Sequence, residues 1–405
     1  MPDSTSETYV WVWLPGCDKP VPAGLLEGRD RLRFRYGAAY LTRPDAVSLG
    51  PDLPLDDRWH SAPVPDLALP GTLRDAAPDA WGRRVVAARL GTTQELPEVT
   101  YLLESGTDRF GALDFQTSPA FYKPRDEPAS LADLLTAADL VAAGDRLPPA
   151  LTAAILRGTS LGGARPKAVL TGTDGRQWLA KFSTSDDPYP VVNAEAACLV
   201  LARQAGVEVP DSQVVRTMGR DVLLVERFDR GLGGTRRLCL SGLTLLGLGE
   251  MTARYGTYPD LLDALIAHGA PAATRKELFT RIAVNMAVTN TDDHLRNHAV
   301  FWDGAKVRLT PAYDICPSPR SGDTAFQALA YGRNGERKTN LLSLVECAEV
   351  YGLSRPQARA VVDQVTTVIR EGWEEAADQA KLPAIWTKRF YGAQILHPSL
   401  WYSAV

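Results

Sequence analysis

Residues 289–298 read Thr-Asn-Thr-Asp-Asp-His-Leu-Arg-Asn-His, and Asp314 follows seventeen residues after Asn297, at the end of Leu309-Thr-Pro-Ala-Tyr-Asp314. Asp292, Asn297 five residues on, and Asp314 form the polar set that phosphoryl transfer to a hydroxyl requires. One carboxylate orients the attacking hydroxyl and accepts its proton, while an amide and a second carboxylate hold Mg²⁺ against the phosphates of ATP. Protein kinase catalytic loops use the same separation between their Asp and Asn. Only Asp292 has that spacing to Asn297, so Asp293 is expected to be solvated. The competing reading is a polar loop at a helix end, because Asn, Thr and Asp favour turns for reasons unrelated to catalysis. Asp314, after the β-like run Lys306–Thr310, has its own plain reading as a turn aspartate.

His294 and His298 are four apart, as in a helical metal pair, but Leu295 stands where the zincin pattern needs Glu, and no third ligand is near in sequence. His294 is expected to contact a phosphate or brace the loop, and His298 to be structural.

Upstream, Lys181 interrupts the apolar run Trp178-Leu-Ala-Lys-Phe182. Burying an ammonium without a partner is costly. Alternation along a strand puts Lys181 on the face of Leu179, opposite Trp178, Ala180 and Phe182. A lysine that pairs ATP phosphates with a helix glutamate resolves the conflict, and Glu195, set among alanines, is the candidate partner. An edge-strand lysine facing water is the alternative. Before this strand, Arg157-Gly-Thr-Ser-Leu-Gly-Gly-Ala-Arg-Pro-Lys167 is a Gly-rich turn whose amides could approach phosphate oxygens. It matches neither the Walker A loop nor the glycine loop of ordinary protein kinases.

These groups need elements to position them. Lys167–Thr171 and Gln177–Phe182 read as strands around the hairpin signal Gly172–Arg176, and Val191–Ala205 as a helix ending at Gly206. Val214–Arg216 and Val222–Glu226 flank a second hairpin at Met218-Gly-Arg220. Thr274-Arg-Lys-Glu277 reads as a capping box before a helix that delivers the chain into the 289–298 loop. Leu341–Val350 and Pro356–Ala376 read as further helices. Nearer the start, Thr8–Leu14, Leu32–Tyr36 and Phe110–Phe115 read as strands, Leu73–Ala88 as a helix, Tyr122–Ser130 as a linker, and Leu131–Ala142 as a helix headed by Ser130. The expected fold class is α+β: a β-rich part followed by an all-helical part, with a cleft between them. Gly-rich turn, strand, strand with Lys, helix with Glu, hairpin, helical lobe, Asp…Asn and then Asp is the order of parts in a two-lobed protein kinase.

The bulk properties agree. The chain has 405 residues, 45% of them hydrophobic and 23% charged, with a net charge of −4, the profile of a globular protein of two or three domains rather than a general electrostatic nucleic-acid binder. No apolar run approaches a membrane span, and the N-terminus lacks the pattern of a signal peptide. Five scattered cysteines without Cys-x-x-Cys fit reduced thiols in a cytoplasm.

Ser160-Leu-Gly-Gly-Ala-Arg-Pro-Lys167, Trp178–Phe182, Val225-Glu-Arg-Phe-Asp-Arg230, Thr291–Asn297, Leu309–Asp314 and, near the start, Glu104-Ser-Gly-Thr-Asp-Arg-Phe-Gly-Ala112 together resemble the motifs of the HipA family, Ser/Thr protein kinases that act as toxins of bacterial toxin–antitoxin modules. The resemblance implies an N-terminal subdomain over 1–120, an ATP-binding region over 130–255, and a helical lobe with the catalytic loop over 256–405. It implies that Asp292 is the base, supported by His294 and Lys181. ATP would be held by Gly162, Gly163, Ala164, Lys181, Glu195, Asn297 and Asp314, with the Glu226–Phe228 segment meeting adenine through its backbone. Mg²⁺ would sit on Asn297 and Asp314. Ser160 matches the family's autophosphorylated serine, and a dianion there would repel ATP phosphates and switch the kinase off. The implied partners are a HipB-like DNA-binding antitoxin, operator DNA through that complex, and a cytoplasmic protein substrate in translation, such as an aminoacyl-tRNA synthetase. Arg165-Pro166 and Asp293 depart from the family's usual residues without removing a catalytic group. A small-molecule kinase and a non-catalytic corepressor acting with the antitoxin remain as alternatives.

Overall fold

In the computed structural model of the chain, all residues are described except 1–5, 65–66, 126–128, 146–147, 149–150, 152–154, 156–164, 185 and 404–405. An antiparallel sheet opens the fold, with β1 (Glu7–Val12), β2 (Val21–Gly28), β3 (Leu32–Tyr36), β4 (His60–Ser61) and β5 (Leu113–Gln116) in the order β4-β3-β2-β1-β5. β3 shows why it forms: Leu32, Phe34 and Tyr36 are buried while Arg33 and Arg35 alternate outward.

A second antiparallel sheet, β6 (Lys167–Thr171), β7 (Gln177–Phe182), β8 (Ser212–Thr217) and β9 (Arg220–Glu226), runs in the order β6-β7-β9-β8. Its back face, including Ala168, Trp178, Ala180, Phe182, Val222 and Leu224, packs on Trp81 and Val85 of the Ala80–Leu90 helix and on Leu134 and Leu135 of the Leu131–Ala143 helix. Ser130 caps that second helix by accepting from the Asp133 amide, as its sequence position suggested. The front face looks onto the Val191–Gln204 helix and the cleft. That helix packs on the long Arg355–Gln379 helix, which also supports the Thr274–Ala287 helix. No helix among the described residues is long and apolar enough to cross a membrane.

The structure corrects several expectations. The C-terminal part is helical but not all-helical: β10 (Cys239–Ser241), β11 (Ala299–Trp302) and β12 (Val307–Leu309) form a small sheet that carries the chain from one side of the 289–298 loop to Asp314. The single helix expected over 73–88 is two, Gly71–Asp75 and Ala80–Leu90, because Pro78 breaks the run and Asp79 starts a new helix by accepting from the Gly82 amide at 2.7 Å. Thr274 does not cap its helix; it lies inside it, and Glu277 reaches forward to Arg281 at 2.5 Å. The strand expected at Phe110–Phe115 is shifted to Leu113–Gln116, and β2 had no counterpart among the expected strands.

Two motif segments about 120 residues apart turn out to interlock. The Arg227 guanidinium donates to Asp108 Oδ1 (2.7 Å), the Arg109 carbonyl (2.7 Å) and both Asp229 oxygens (3.0 and 2.7 Å). Arg230 also reaches Asp108 (2.8 Å), and Asp229 accepts the Gly111 amide (2.8 Å). Burial pushes the Asp229 carboxyl up, but Arg227 and Arg230 outweigh it and hold it below the usual carboxylate range; Arg125 and Arg109 do the same for buried Asp114. A depressed carboxylate contributes stability above its unfolded value, about pH 4, and that contribution is lost as pH falls through the folded value. The melting temperature is therefore expected to drop below about pH 4, and Asp229→Asn to lower it at neutral pH while flattening the acid limb, which thermal melts across pH 3–7 would show.

Candidate active site

Between the β6–β9 sheet and the C-terminal helices lies a cleft of about 430 Å³, lined by Lys167, Leu179, Lys181, Glu195, Val225, Glu226, Phe228, Asp292, His294, Asn297, Tyr313 and Asp314, among others. Nearly every described residue singled out from sequence thus converges on one cavity.

Lys181 lines it. The strand alternates as expected, with Trp178, Ala180 and Phe182 buried behind it. The Lys181 amine donates to Glu195 Oε1 and to Asp314 Oδ1, each at 2.6 Å. Burial works against its positive charge, but Asp314 and Glu195 outweigh that and hold its pKa above the usual lysine value. Lys181 in turn keeps the Asp314 carboxyl below the carboxylate range. The three residues come from a strand, a helix and a loop, so the ion cluster fixes both sides of the cleft relative to one another.

The loop is positioned by the Thr274–Ala287 helix, which ends where the loop begins. Thr289 turns the chain with φ +53°. Asn290 donates to Asn285 Oδ1 (2.9 Å) and to the Asp314 carbonyl (3.2 Å), tying the loop to the segment that carries the second aspartate. Asp314 itself has φ +61°, a left-handed conformation that aspartate tolerates better than most residues. Further on, the Thr291 amide donates to Ser318 Oγ (3.1 Å) and the Ser318 amide to the Thr289 carbonyl (2.9 Å), stitching the chain after Asp314 back to the loop.

Within the loop, the two neighbouring aspartates part company. Asp292 is exposed and lines the cleft. Asp293 is not solvated, as expected from sequence, but buried. It accepts from Tyr258 Oη (2.5 Å), Asn285 Nδ2 (2.6 Å) and His298 Nε2 (3.1 Å). Burial opposes its charge, and His298 and Tyr258 nonetheless hold the carboxyl below its usual range. His298 is accordingly a structural residue. Bracing of the loop belongs to this Asp293 set, which leaves His294 to the cleft, where its Nδ1 is buried with no hydrogen-bond partner among the described residues. Asn297 donates its amide nitrogen to the Asp292 carbonyl (3.1 Å), so its amide oxygen is the atom left to accept a cation. Together with the Asp314 carboxylate this is a hard oxygen donor set that fits Mg²⁺.

At the far end, the Glu226 amide donates to the Asp211 carbonyl (2.7 Å) and the Arg227 amide to the Gln177 carbonyl (2.8 Å). Phe228 stands among Phe110, Phe301 and Tyr313, with ring centroids 5.7–6.3 Å from its own. Phe110, Phe228 and Tyr313, with Leu179 and Val225, give this end an apolar wall suited to a flat heterocycle.

Ser160, Gly162, Gly163 and Ala164 lie outside the described residues. Among the cleft residues that had not been singled out as site residues are Asp75, Lys167 and Tyr313. Lys167 had a legible signal, since the hairpin at 172–176 sets it opposite Lys181. Asp75 had none, because its approach depends on how the first sheet docks.

Comparison with known proteins agrees with the motifs. The HipA-like C-terminal domain matches residues 159–373, more than half of the chain, and the HipA N-terminal domain matches residues 12–116. The chain belongs to the HipA family. Among solved structures, it is similar to HipA of Shewanella oneidensis MR-1, determined as a toxin–antitoxin complex with HipB and its operator DNA. The TM-score is 0.70 at 18% identity, over 95% of this chain and 98% of that one, which shows a shared fold along nearly the whole length. The Helicobacter pylori proinflammatory kinase CtkA matches at TM-score 0.40 and 12% identity, over 59% of this chain and 91% of that one, too distant to support an argument. The fold is thus that of HipA, with the kinase-like order of sheet, lysine strand, glutamate helix and Asp…Asn loop.

Proposed function

We propose that this HipA-family chain is a Mg²⁺·ATP-dependent Ser/Thr protein kinase that acts as the toxin of a toxin–antitoxin module. The observation that carries the reading is the Lys181 amine held by both Glu195 and Asp314 in the cavity that also contains Asp292 and Asn297. Kinases need that lysine–glutamate pair and a metal-binding aspartate in place at once.

In this reading the aromatic end of the cleft takes adenine. With the Glu226 and Arg227 amides engaged in the sheet, the Phe228 amide is the one to meet its edge. Lys181 binds phosphate oxygens, and His294 adds a contact through its Nδ1, which has no hydrogen-bond partner among the described residues. Asn297 and Asp314 would hold Mg²⁺, which would neutralise phosphate charge. Asp292 orients the substrate hydroxyl and accepts its proton. Ser160 is the proposed autophosphorylation site, where a dianion would oppose ATP binding. A HipB-like antitoxin is the proposed partner, with operator DNA reached through that complex, and the proposed substrate is a cytoplasmic protein of translation such as an aminoacyl-tRNA synthetase.

Incubation with labelled ATP alone tests the activity. Label on Ser160 is the expected result, whereas transfer only to an added small molecule would replace this reading with a metabolite kinase. Asp314→Ala is expected to remove the part of nucleotide affinity that depends on Mg²⁺. Titration of a fluorescent ATP analogue with and without Mg²⁺ measures it, and an undiminished Mg²⁺ effect would exclude Asp314 as a ligand.

A further inference from the structure

Lys167 and Lys181 are direct cross-strand partners on β6 and β7, and both line the cleft. Two ammonium groups in that relation repel, so each needs counter-charge. Lys181 has Glu195 and Asp314. The Lys167 amine is 2.9 Å from Asp79 Oδ2, and Asp79 belongs to the N-terminal domain, where it caps the Ala80–Leu90 helix. Two residues on, Trp81 Nε1 donates to the Lys167 carbonyl at 3.1 Å. The start of one helix therefore grips Lys167 at both its backbone and its amine. Four residues before Asp79, Asp75 accepts the backbone amide (2.6 Å) and the hydroxyl (2.8 Å) of Ser241 on β10. Residues 75–81 thus tie the first strand of the ATP-side sheet to the C-terminal part across the cleft.

We propose that Asp79 is a positioning residue for the phosphate end of the cleft: it holds the Lys167 ammonium beside Lys181, so the N-terminal domain helps set how strongly nucleotide phosphates bind. This rests on the reading that the cleft takes ATP. Lys167 is only 3% exposed. Burial pulls its pKa down, and Asp79 and Asp314 oppose that while the Lys181 charge adds to it. Without the Asp79 carboxylate, the amine would give up its proton or turn away, and the phosphates would lose one of two adjacent cations. Adenosine, which has no phosphate, would not register the change.

Calorimetric titration of the full chain with ATP and with adenosine tests this. Asp79→Asn and Lys167→Met are each expected to weaken ATP about tenfold, which is about 1.4 kcal/mol, with adenosine affinity unchanged. Asp79→Glu is expected to recover ATP affinity, and Asp79→Asn added to Lys167→Met to cost nothing more. A merely structural role would weaken both ligands together. That outcome, or wild-type ATP affinity in Asp79→Asn, overturns the proposal. Should Asp79→Asn fail to fold because it deprives a buried ammonium of its carboxylate, Lys167→Met and the double variant Asp79→Ala/Lys167→Met carry the test. Equal ATP affinities for these two, both below wild type, support the proposal, and a wild-type affinity in Lys167→Met overturns it. A wild-type chain that binds adenosine and ATP equally would instead sink the ATP reading of the cleft.

Discussion

Asp292→Asn is expected to cut phosphoryl transfer by about 10²–10⁴-fold, the usual contribution of a positioned general base, while melting at the wild-type temperature. The Asp292 side chain is exposed on the cleft wall, so the substitution buries no new polar group and creates no cavity. ATP affinity should be preserved, because Lys181, Glu195, Asn297 and Asp314 remain. Autophosphorylation rates and nucleotide titrations on the same preparation separate the two effects. Full activity in Asp292→Asn would remove phosphoryl transfer through this loop from consideration, and undiminished toxicity on overexpression would favour a corepressor that works only through its antitoxin.

Asp293→Ala should behave in the opposite way. Its carboxylate takes hydrogen bonds from Tyr258, Asn285 and His298 in a buried setting. Deleting it leaves those donors without an acceptor, a loss of about 3–5 kcal/mol by analogy with broken buried charge pairs. Urea denaturation should show a clearly lower midpoint, and activity should fall through displacement of the loop rather than through chemistry. A stability change under about 1 kcal/mol would mean that the carboxylate is not the hub of the loop. Adjacent residues of one type would thus give one catalytic and one structural phenotype.

That contrast marks how far the sequence could be read. Five-residue spacing to Asn297 singled out Asp292, and strand alternation put Lys181 on the face opposite Trp178, Ala180 and Phe182, because backbone periodicity decides which side chains share a side. β6 and β7 ended where the residues indicated, and the Val191–Gln204 helix within one residue, because hairpin turns, glycine stops and apolar runs are local signals. The same local reading failed where a distant partner decides. Asp293 looked like a solvated neighbour because Tyr258 and Asn285, which bury it, arrive from other helices. The Thr274 capping box matched in composition, yet the helix starts a residue earlier and Glu277 pairs with Arg281, which also donates to the Thr310 carbonyl.

By itself, then, the sequence determined the chemical inventory, its order along the chain and the periodic elements that carry it, since these depend on contacts a few residues apart. Only the tertiary structure decided that Lys181 bridges Glu195 and Asp314, that the 104–112 and 225–230 motifs interlock through buried ion pairs, and that, from the N-terminal domain, Asp75 reaches the cleft and Asp79 reaches Lys167. The physical reason is common to all three: burial makes an unpaired charge expensive, so such groups are placed by whichever distant partner the packing brings to them.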